Sequence, residues 1–371
     1  MLDDIRIKNY RSFREFKANR LAPVNLIVGG NNSGKTSLLE AVHLLVNQQD
    51  ITALFETLSI RGEFTFLESD IRKFPRIQQT RKIYEFAHLF YKRTLESNSS
   101  IYISSETKEI FIKITFNRFH GEEINSFEEL QENAIFSDRI VISYSNKKDG
   151  LALRVSSSGS FDERMKVSNL NRVFIPRISD RSDRSISLFL SVDSMSIEDL
   201  SRLWDKITLT PEEDTIIEAL KILEPKIERL SFTGHYRSTN GILLKLKGQD
   251  RPIPLGSMGD GMRRILNLVM SAVSVKNGYL LVDEIDTGLY YDVQTDMWRL
   301  IFAIAKQLNI QVFATTHSWD CVSAFSDALM EVEDSSIGQL LRLEWREDEI
   351  RAIDYSADRL ASAVRQNIEV R

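Results

Sequence analysis

The chain holds a single cysteine, Cys321, among 371 residues. One thiol excludes a disulfide framework and any cysteine-based zinc site, and it suits a reducing cytoplasm. Long apolar runs are missing too. No stretch approaches the ~18 consecutive apolar residues of a membrane-spanning helix, so no membrane contact is expected. Met1-Leu2-Asp3-Asp4-Ile5-Arg6 lacks the apolar core of a signal peptide. Positive charge is not in excess: 48 Lys and Arg stand against 53 Asp and Glu, a net charge of -5. That balance argues against a protein coated in nucleic acid and leaves DNA contact to a local basic patch. There is no internal repeat, and no heptad run long enough for a coiled-coil arm. What is present, 42% hydrophobic and 27% charged residues, is the make-up of a soluble globular protein with room for one large domain or two ordinary ones.

The strongest signal is Asn25-Leu26-Ile27-Val28-Gly29-Gly30-Asn31-Asn32-Ser33-Gly34-Lys35-Thr36, a short apolar strand and a glycine-rich turn, followed by a helix over 37–45. Gly29, Gly34, Lys35 and Thr36 satisfy the phosphate-loop spacing G-x-x-x-x-G-K-[ST]. Glycine lets the backbone curl so that successive N–H groups, from Gly29 through Asn31, Asn32 and Ser33 to Ser37, point inward at phosphate oxygens. The helix that follows adds its positive N-terminal end. In this pattern Lys35 reaches the β- and γ-phosphates and Thr36 offers its hydroxyl to Mg²⁺. ATP with Mg²⁺ is the expected ligand pair.

Residues 2–8 alternate as a half-buried strand does, and Arg6, Lys8, Arg11, Arg14, Lys17 and Arg20 make this region basic. Those charges suit a solvated strand face or a contact to a nucleotide base or DNA. Residues 71–93 interleave Arg72, Lys73, Arg76, Arg81, Lys82, Lys92 and Arg93 with Phe74, Tyr84, Phe86, Phe90 and Tyr91. Such a stretch serves a nucleic-acid surface, or is simply an amphipathic helix. Strands are expected over 110–116, 140–144 and 151–155, the last two joined by a turn at 146–150 and followed by a flexible serine run at 156–160. Helices are expected over 197–207 and from Thr210-Pro211-Glu212-Glu213 onward, then paired strands over 227–232 and 242–246.

Three further motifs carry chemistry. Gly278-Tyr279-Leu280-Leu281-Val282-Asp283-Glu284 is an apolar strand ending in two carboxylates, as a parallel sheet covered on both faces requires. Asp283 is placed for the Mg²⁺ shell and Glu284 to polarise the attacking water. A second apolar strand, at 310–315, runs into Thr316-His317-Ser318, and His317 is expected to reach the γ-phosphate. His43, His88, His120 and His235 have no such setting and read as structural. The loop Pro254-Leu255-Gly256-Ser257-Met258-Gly259-Asp260-Gly261 opens a helix at 265–275, a second anion site whose natural occupant is the γ-phosphate of another subunit.

The order of phosphate loop, Ser257-Met258-Gly259-Asp260-Gly261, Asp283-Glu284 and Thr316-His317-Ser318 resembles the ABC-type ATPase heads of the OLD and SMC group, and most of all the OLD-like "AAA" proteins of phage defence. The resemblance implies an α/β P-loop NTPase head: a mostly parallel core sheet flanked by helices, with an antiparallel β region and a helical signature lobe. Its divisions would be one head over 1–371, an inserted antiparallel and helical region over 50–195, and a signature lobe over 196–275. It also implies ATP hydrolysis between two heads, with Ser257, Gly259 and Asp260 of one facing the phosphate loop of the other. Lys35, Glu284 and His317 would be catalytic, with Glu284 the base and His317 the switch histidine, and Thr287-Gly288-Leu289 would form the D-loop. Gln78 and Gln79 are candidates for the Q-loop. Met258 and Asp260 depart from the transporter-type signature, and Tyr290-Tyr291 stand where relatives often carry histidine. No Asp-x-Asp follows Asp286, so the chain is expected to be the ATPase half alone. It would work as a dimer or higher oligomer controlling a separate effector such as a TOPRIM-type nuclease. The rival expectations are a DNA-gripping repair or recombination clamp and a scaffold that holds nucleotide without turnover.

Overall fold

Val24–Gly29 is buried at every position, so both faces of this strand must be covered. Its side chains alternate between two hydrophobic cores. Val24, Leu26 and Val28 enter one, and Ile27 enters the other. The computed structural model describes residues 1–67, 81–118, 138–145, 151–162, 187–192, 195–233 and 241–371. Within them, Val24–Gly29 lies inside a six-stranded sheet ordered Ser187–Leu190, Tyr279–Val282, Gln311–Thr315, Val24–Gly29, Gly338–Arg346, Glu349–Tyr355. The first five strands are parallel and the sixth is antiparallel. Register aligns Val282 with Ala314 and Ala314 with Leu26, so the segments leaving these three strands emerge together at one edge.

The helix Lys35–Val46 is buried all round except at Thr36, because it lies between this sheet and a second one. The second sheet is antiparallel, ordered Phe13–Ala18, Ile5–Tyr10, Ser100–Ser105, Ile110–Asn117, Asp138–Tyr144, Leu151–Val155. The opposite face of the parallel sheet is covered by Asp260–Ser274, Tyr291–Leu308, Trp319–Glu331 and Ala357–Arg365, which share a core with Leu280, Val282, Val312 and Ala314. The fold is that of a P-loop NTPase, a mostly parallel core sheet flanked by helices, with an antiparallel β region and a helical lobe. The lobe joins Ile197–Ile207 and Pro211–Leu220 to a small sheet of Ile227–Phe232, Ile242–Leu246 and Ile253–Pro254. Ser196 caps the first of these helices by accepting from the Asp199 N–H at 3.1 Å.

Several expectations need correction. Ser187–Leu190 falls inside the 50–195 span but pairs in parallel with Tyr279–Val282, so it belongs to the core sheet. The antiparallel sheet is not confined to that span either, since Ile5–Tyr10 and Phe13–Ala18 are two of its strands. Arg81–Glu85 is a strand and Phe86–Leu89 and Tyr91–Arg93 are short 3₁₀ turns, so this part of the basic-aromatic stretch is no amphipathic helix. Tyr84, Phe86 and Phe90 are buried, with Tyr84 and Phe86 packed around Phe55, and so offer no stacking platform. Arg72, Lys73, Phe74, Arg76, Gln78, Gln79, His120, His235 and the 146–150 turn lie outside the described residues. The serine run is a hydrogen-bonded turn: Gly159 N–H donates to the Ser156 carbonyl at 2.8 Å and Ser156 N–H to that of Ser160 at 2.9 Å.

Candidate nucleotide site

Where the parallel strands end, the chain must turn, and two glycines set the shape of the turn. Gly29 has φ +147°, and a Cβ there would stand 2.4 Å from the Leu343 carbonyl oxygen. Gly34 has φ +91°, and a Cβ would meet Phe13 and Ser12 at 2.9 Å. Any larger residue would collide at either position, so the spacing of these two glycines follows from the packing. Lys35 Nζ donates back to the Gly29 and Gly30 carbonyls at 2.8 and 2.9 Å. Burial pushes its ammonium below the usual lysine range, against the pull of Asp283 and Glu284.

A cavity of about 710 Å³ opens over this turn. Among the residues named from sequence, Asn31, Asn32, Ser33, Gly34, Lys35, Thr36, Ser37, Asp283, Glu284 and His317 line it together. Ser257, Gly259 and Asp260 do not; all three are exposed outside it. His88, read as structural, lines the cavity, whereas His43 is a buried bridge to Ser187 at 2.8 Å. Lys92 and Arg93, two cations of the basic-aromatic stretch, also line it, as do Arg11 and Arg61. Arg11 is held by Glu40 at 2.5 Å and Glu63 at 2.7 Å, and Arg61 by Glu40 at 2.6 Å.

Thr36 Oγ1 donates to the two Asp283 oxygens at 3.0 and 3.3 Å, so a hydroxyl and a carboxylate meet at the foot of the cavity. Two hard oxygen donors are what Mg²⁺ takes from a protein when phosphate and water complete its shell. The Ser12 and Ser33 hydroxyls are buried at the cavity without a partner among the described residues. Such orphans beside a curled loop suit a ligand with many acceptor oxygens.

Two residues that sequence reasoning missed organise the acids. Thr315, at the end of its strand, donates to Asp283 Oδ1 at 2.6 Å and accepts the Glu284 N–H at 2.9 Å. Glu284 holds φ +46°, an uncommon conformation for a side chain of its size. Arg264, on the helix Asp260–Ser274, donates to the carbonyls of Asp283 at 2.9 Å, Glu284 at 2.8 Å and Ser191 at 3.0 Å. Burial lowers its pKa, with Asp286, Asp283 and Glu284 opposing. The helix Asp260–Ser274 is therefore pinned to the main chain of both acids. Further along, Thr316 Oγ1 donates to Asp286 at 2.5 Å, and Gly288 packs beside Asp260. The sequence singled out Thr287-Gly288-Leu289 and Thr316-His317-Ser318 but not these partners.

Residues 1–322 match the AAA ATPase domain family. The chain belongs to that family. It is an ATPase of the P-loop class. It is similar to an ATP/GTP phosphatase of Helicobacter pylori, 22% identical over 352 residues that cover 89% of each chain. A shorter match, 30% identical over 82 residues, covers 22% of this chain and 19% of the DNA replication and repair protein RecF of Salinibacter ruber. Among solved structures, the Smc head domain with an extended coiled coil from Pyrococcus furiosus, bound to the C-terminal domain of ScpA, is 11% identical. That match covers 99% of both chains with a TM-score of 0.49. No helix among the described residues is long and apolar enough to cross a membrane.

Proposed function

We propose that this AAA-family protein is a Mg²⁺-dependent ATPase of ABC type in which two copies close head to head over two ATP molecules. The observation that supports this most is the position of the signature loop. Ser257, Gly259 and Asp260 stand exposed outside the cavity of their own chain, and nothing lies within 4 Å of where a Gly259 Cβ would sit. An exposed helix N-terminus that does not line the cavity of its own chain is free to meet a partner's phosphate. In this reading Lys35 and the loop amides bind the phosphates, and Thr36 and Asp283 hold Mg²⁺. The ion would draw off charge developing on the phosphoryl oxygens. Glu284 accepts the proton of the attacking water, and His317 contacts the terminal phosphate.

Mixing two inactive variants tests the composite site. Glu284→Gln keeps size but cannot take a proton, and Ser257→Arg blocks the partner's phosphate while leaving its own loop intact. Each alone should be nearly inactive. A mixed dimer carries one doubly damaged site and one intact site, so mixing should restore part of the rate. Ser257→Arg with full activity would defeat the composite site. If mixing restores nothing, exchange of labelled subunits would separate coupled sites from subunits that do not exchange.

The wider role we propose is control of a separate effector, such as a TOPRIM-type nuclease, in anti-phage defence. Its support is the resemblance of the motif order to OLD-like proteins. Recovery of the tagged chain from its host without a nuclease partner, under phage challenge, would count against it. Stacking of unpaired bases on Tyr84, Phe86 and Phe90 has no support, since all three are buried, and a clamp that grips duplex DNA would instead declare itself by a steep salt dependence of binding.

A further inference from the structure

The cavity has two ends of different chemistry. Asp283, Glu284 and His317 stand at one, where the acids meet the phosphate loop. The other begins at Ser37, whose hydroxyl accepts from Arg61 at 3.3 Å, and continues along the antiparallel lobe. In a phosphate loop Lys35 faces the β- and γ-phosphates, so the wall beyond Ser37 faces the α-phosphate and the nucleoside. The lobe's contribution there is anchored twice: the Arg11 N–H donates to the Leu89 carbonyl at 2.8 Å, and Phe90 forms an isolated bridge with Tyr10. From that anchor the chain runs straight into Lys92 and Arg93, which have φ +57° and +56° in succession. Two consecutive side chains in the left-handed region are unusual, and the Lys92 ammonium stands 5.5 Å from the centre of the Tyr91 ring. Lys92 and Arg93 are both exposed and line the cavity.

We propose that Lys92 and Arg93 hold the nucleoside end of the nucleotide, lying against the purine ring by cation–π contact, and that the site therefore takes ATP and GTP alike. This rests on the phosphate-loop reading above. A guanidinium plane or an ammonium over a purine face does not read its edge. Discrimination between the purines needs acceptors or amides at the 6-position. At this end the one carboxylate lining the cavity among the described residues is Glu63, occupied by a two-pronged bond to Arg11 at 2.7 and 3.0 Å. The imidazole of His88, which also lines it, has both a donor and an acceptor nitrogen and so suits the 6-position of either purine.

The test compares ATP, GTP and inorganic tripolyphosphate binding to the full chain and to a Lys92→Asn/Arg93→Asn variant. Asparagine tolerates the left-handed backbone, so the turn is kept while both charges are lost. Folding is checked by an unchanged urea midpoint, and a Lys92→Gly/Arg93→Gly variant, which also accepts positive φ, serves if the first fails to fold. The wild type should bind ATP and GTP within about threefold of one another. The variant should lose about tenfold for both nucleotides and nothing for tripolyphosphate. Equal loss for tripolyphosphate would overturn the proposal, because the pair would then be reading phosphate. Unchanged ATP and GTP affinity would overturn it as well. So would a wild-type purine preference above tenfold, which would indicate edge reading. A wild type that binds none of the three ligands would remove the phosphate-loop reading itself, and the purine contact of Lys92 and Arg93 with it.

Discussion

Thr315→Val is the sharpest test of how the two acids are held. The side chain is fully buried, and valine matches threonine in shape while deleting the hydroxyl. That hydroxyl gives one bond to an ionised carboxylate, at 2.6 Å to Asp283, and receives one from the Glu284 N–H at 2.9 Å. Losing a hydrogen bond to a charged group costs about 1.5–3 kcal/mol, and leaving a buried N–H unpaired costs about 1–3 kcal/mol. The added methyl returns about 1 kcal/mol of burial. Asp283 keeps its bond from Thr36, which limits the loss on that side. The net expectation is about 3 kcal/mol of stability, read from urea unfolding at constant m. Because the same N–H helps hold Glu284 at φ +46°, the carboxylate should lose its position. Turnover should then fall at least about tenfold, while Mg²⁺-free nucleotide affinity is unchanged. Thr315→Ser, which keeps the hydroxyl, should retain most of both properties. A valine variant within about 0.5 kcal/mol of wild type and fully active would refute the argument, since the hydroxyl would then organise nothing.

Further outcomes follow from the same geometry. Lys35→Ala should abolish nucleotide binding by removing the charge that offsets the β- and γ-phosphates, and normal affinity with an intact circular dichroism spectrum would remove the phosphate-loop assignment. Gly34→Ala should lose both stability and binding, because φ +91° and two 2.9 Å contacts leave no room for a methyl; an unaltered urea midpoint would contradict this. Burial alone would raise the Asp4 carboxyl, but hydrogen bonds from the Thr107 side chain, the Glu106 N–H, the Ser105 side chain and the Thr107 N–H bring it down to about 2. Its stabilising contribution, about 2 kcal/mol, is therefore complete above the unfolded value near 3.8 and is lost as pH falls through 2. The stability gap between wild type and Asp4→Asn should shrink from pH 5 to pH 2, and a constant gap across that range would contradict the sign.

The glycine spacing at 29 and 34 could be read in advance because it answers a local steric demand, and the apolar strands 24–29, 279–282 and 311–315 because full burial leaves a continuous signature. Asp283, Glu284 and His317 could be placed for the same reason: each follows such a strand, and parallel strands carry ligands at their carboxyl ends. The hairpin Gly338–Arg346 and Glu349–Tyr355 escaped notice. Its two-residue turn is Glu347-Asp348, both at positive φ, without the glycine that usually marks such a turn.

By itself, then, the sequence determined the loop, the acids that line the cavity over it and the alternation that makes the strands, all of them properties of neighbouring residues. Which strands lie side by side was decided only by the tertiary structure. Ser187–Leu190 joins the parallel sheet, and the initial strands Ile5–Tyr10 and Phe13–Ala18 join the antiparallel one, through pairings between segments far apart in the chain. The same holds for Lys92 and Arg93. In sequence they are two cations in a basic stretch, and they become part of the cavity because Leu89 and Phe90 dock on Tyr10 and Arg11, some eighty residues earlier. Thr315 and Arg264 likewise gain their meaning from carbonyls, amides and carboxylates brought to them by sheet register and helix packing. Hydrogen bonds of that kind leave no periodic trace in a sequence, because one buried hydroxyl or guanidinium serves groups whose spacing along the chain is arbitrary.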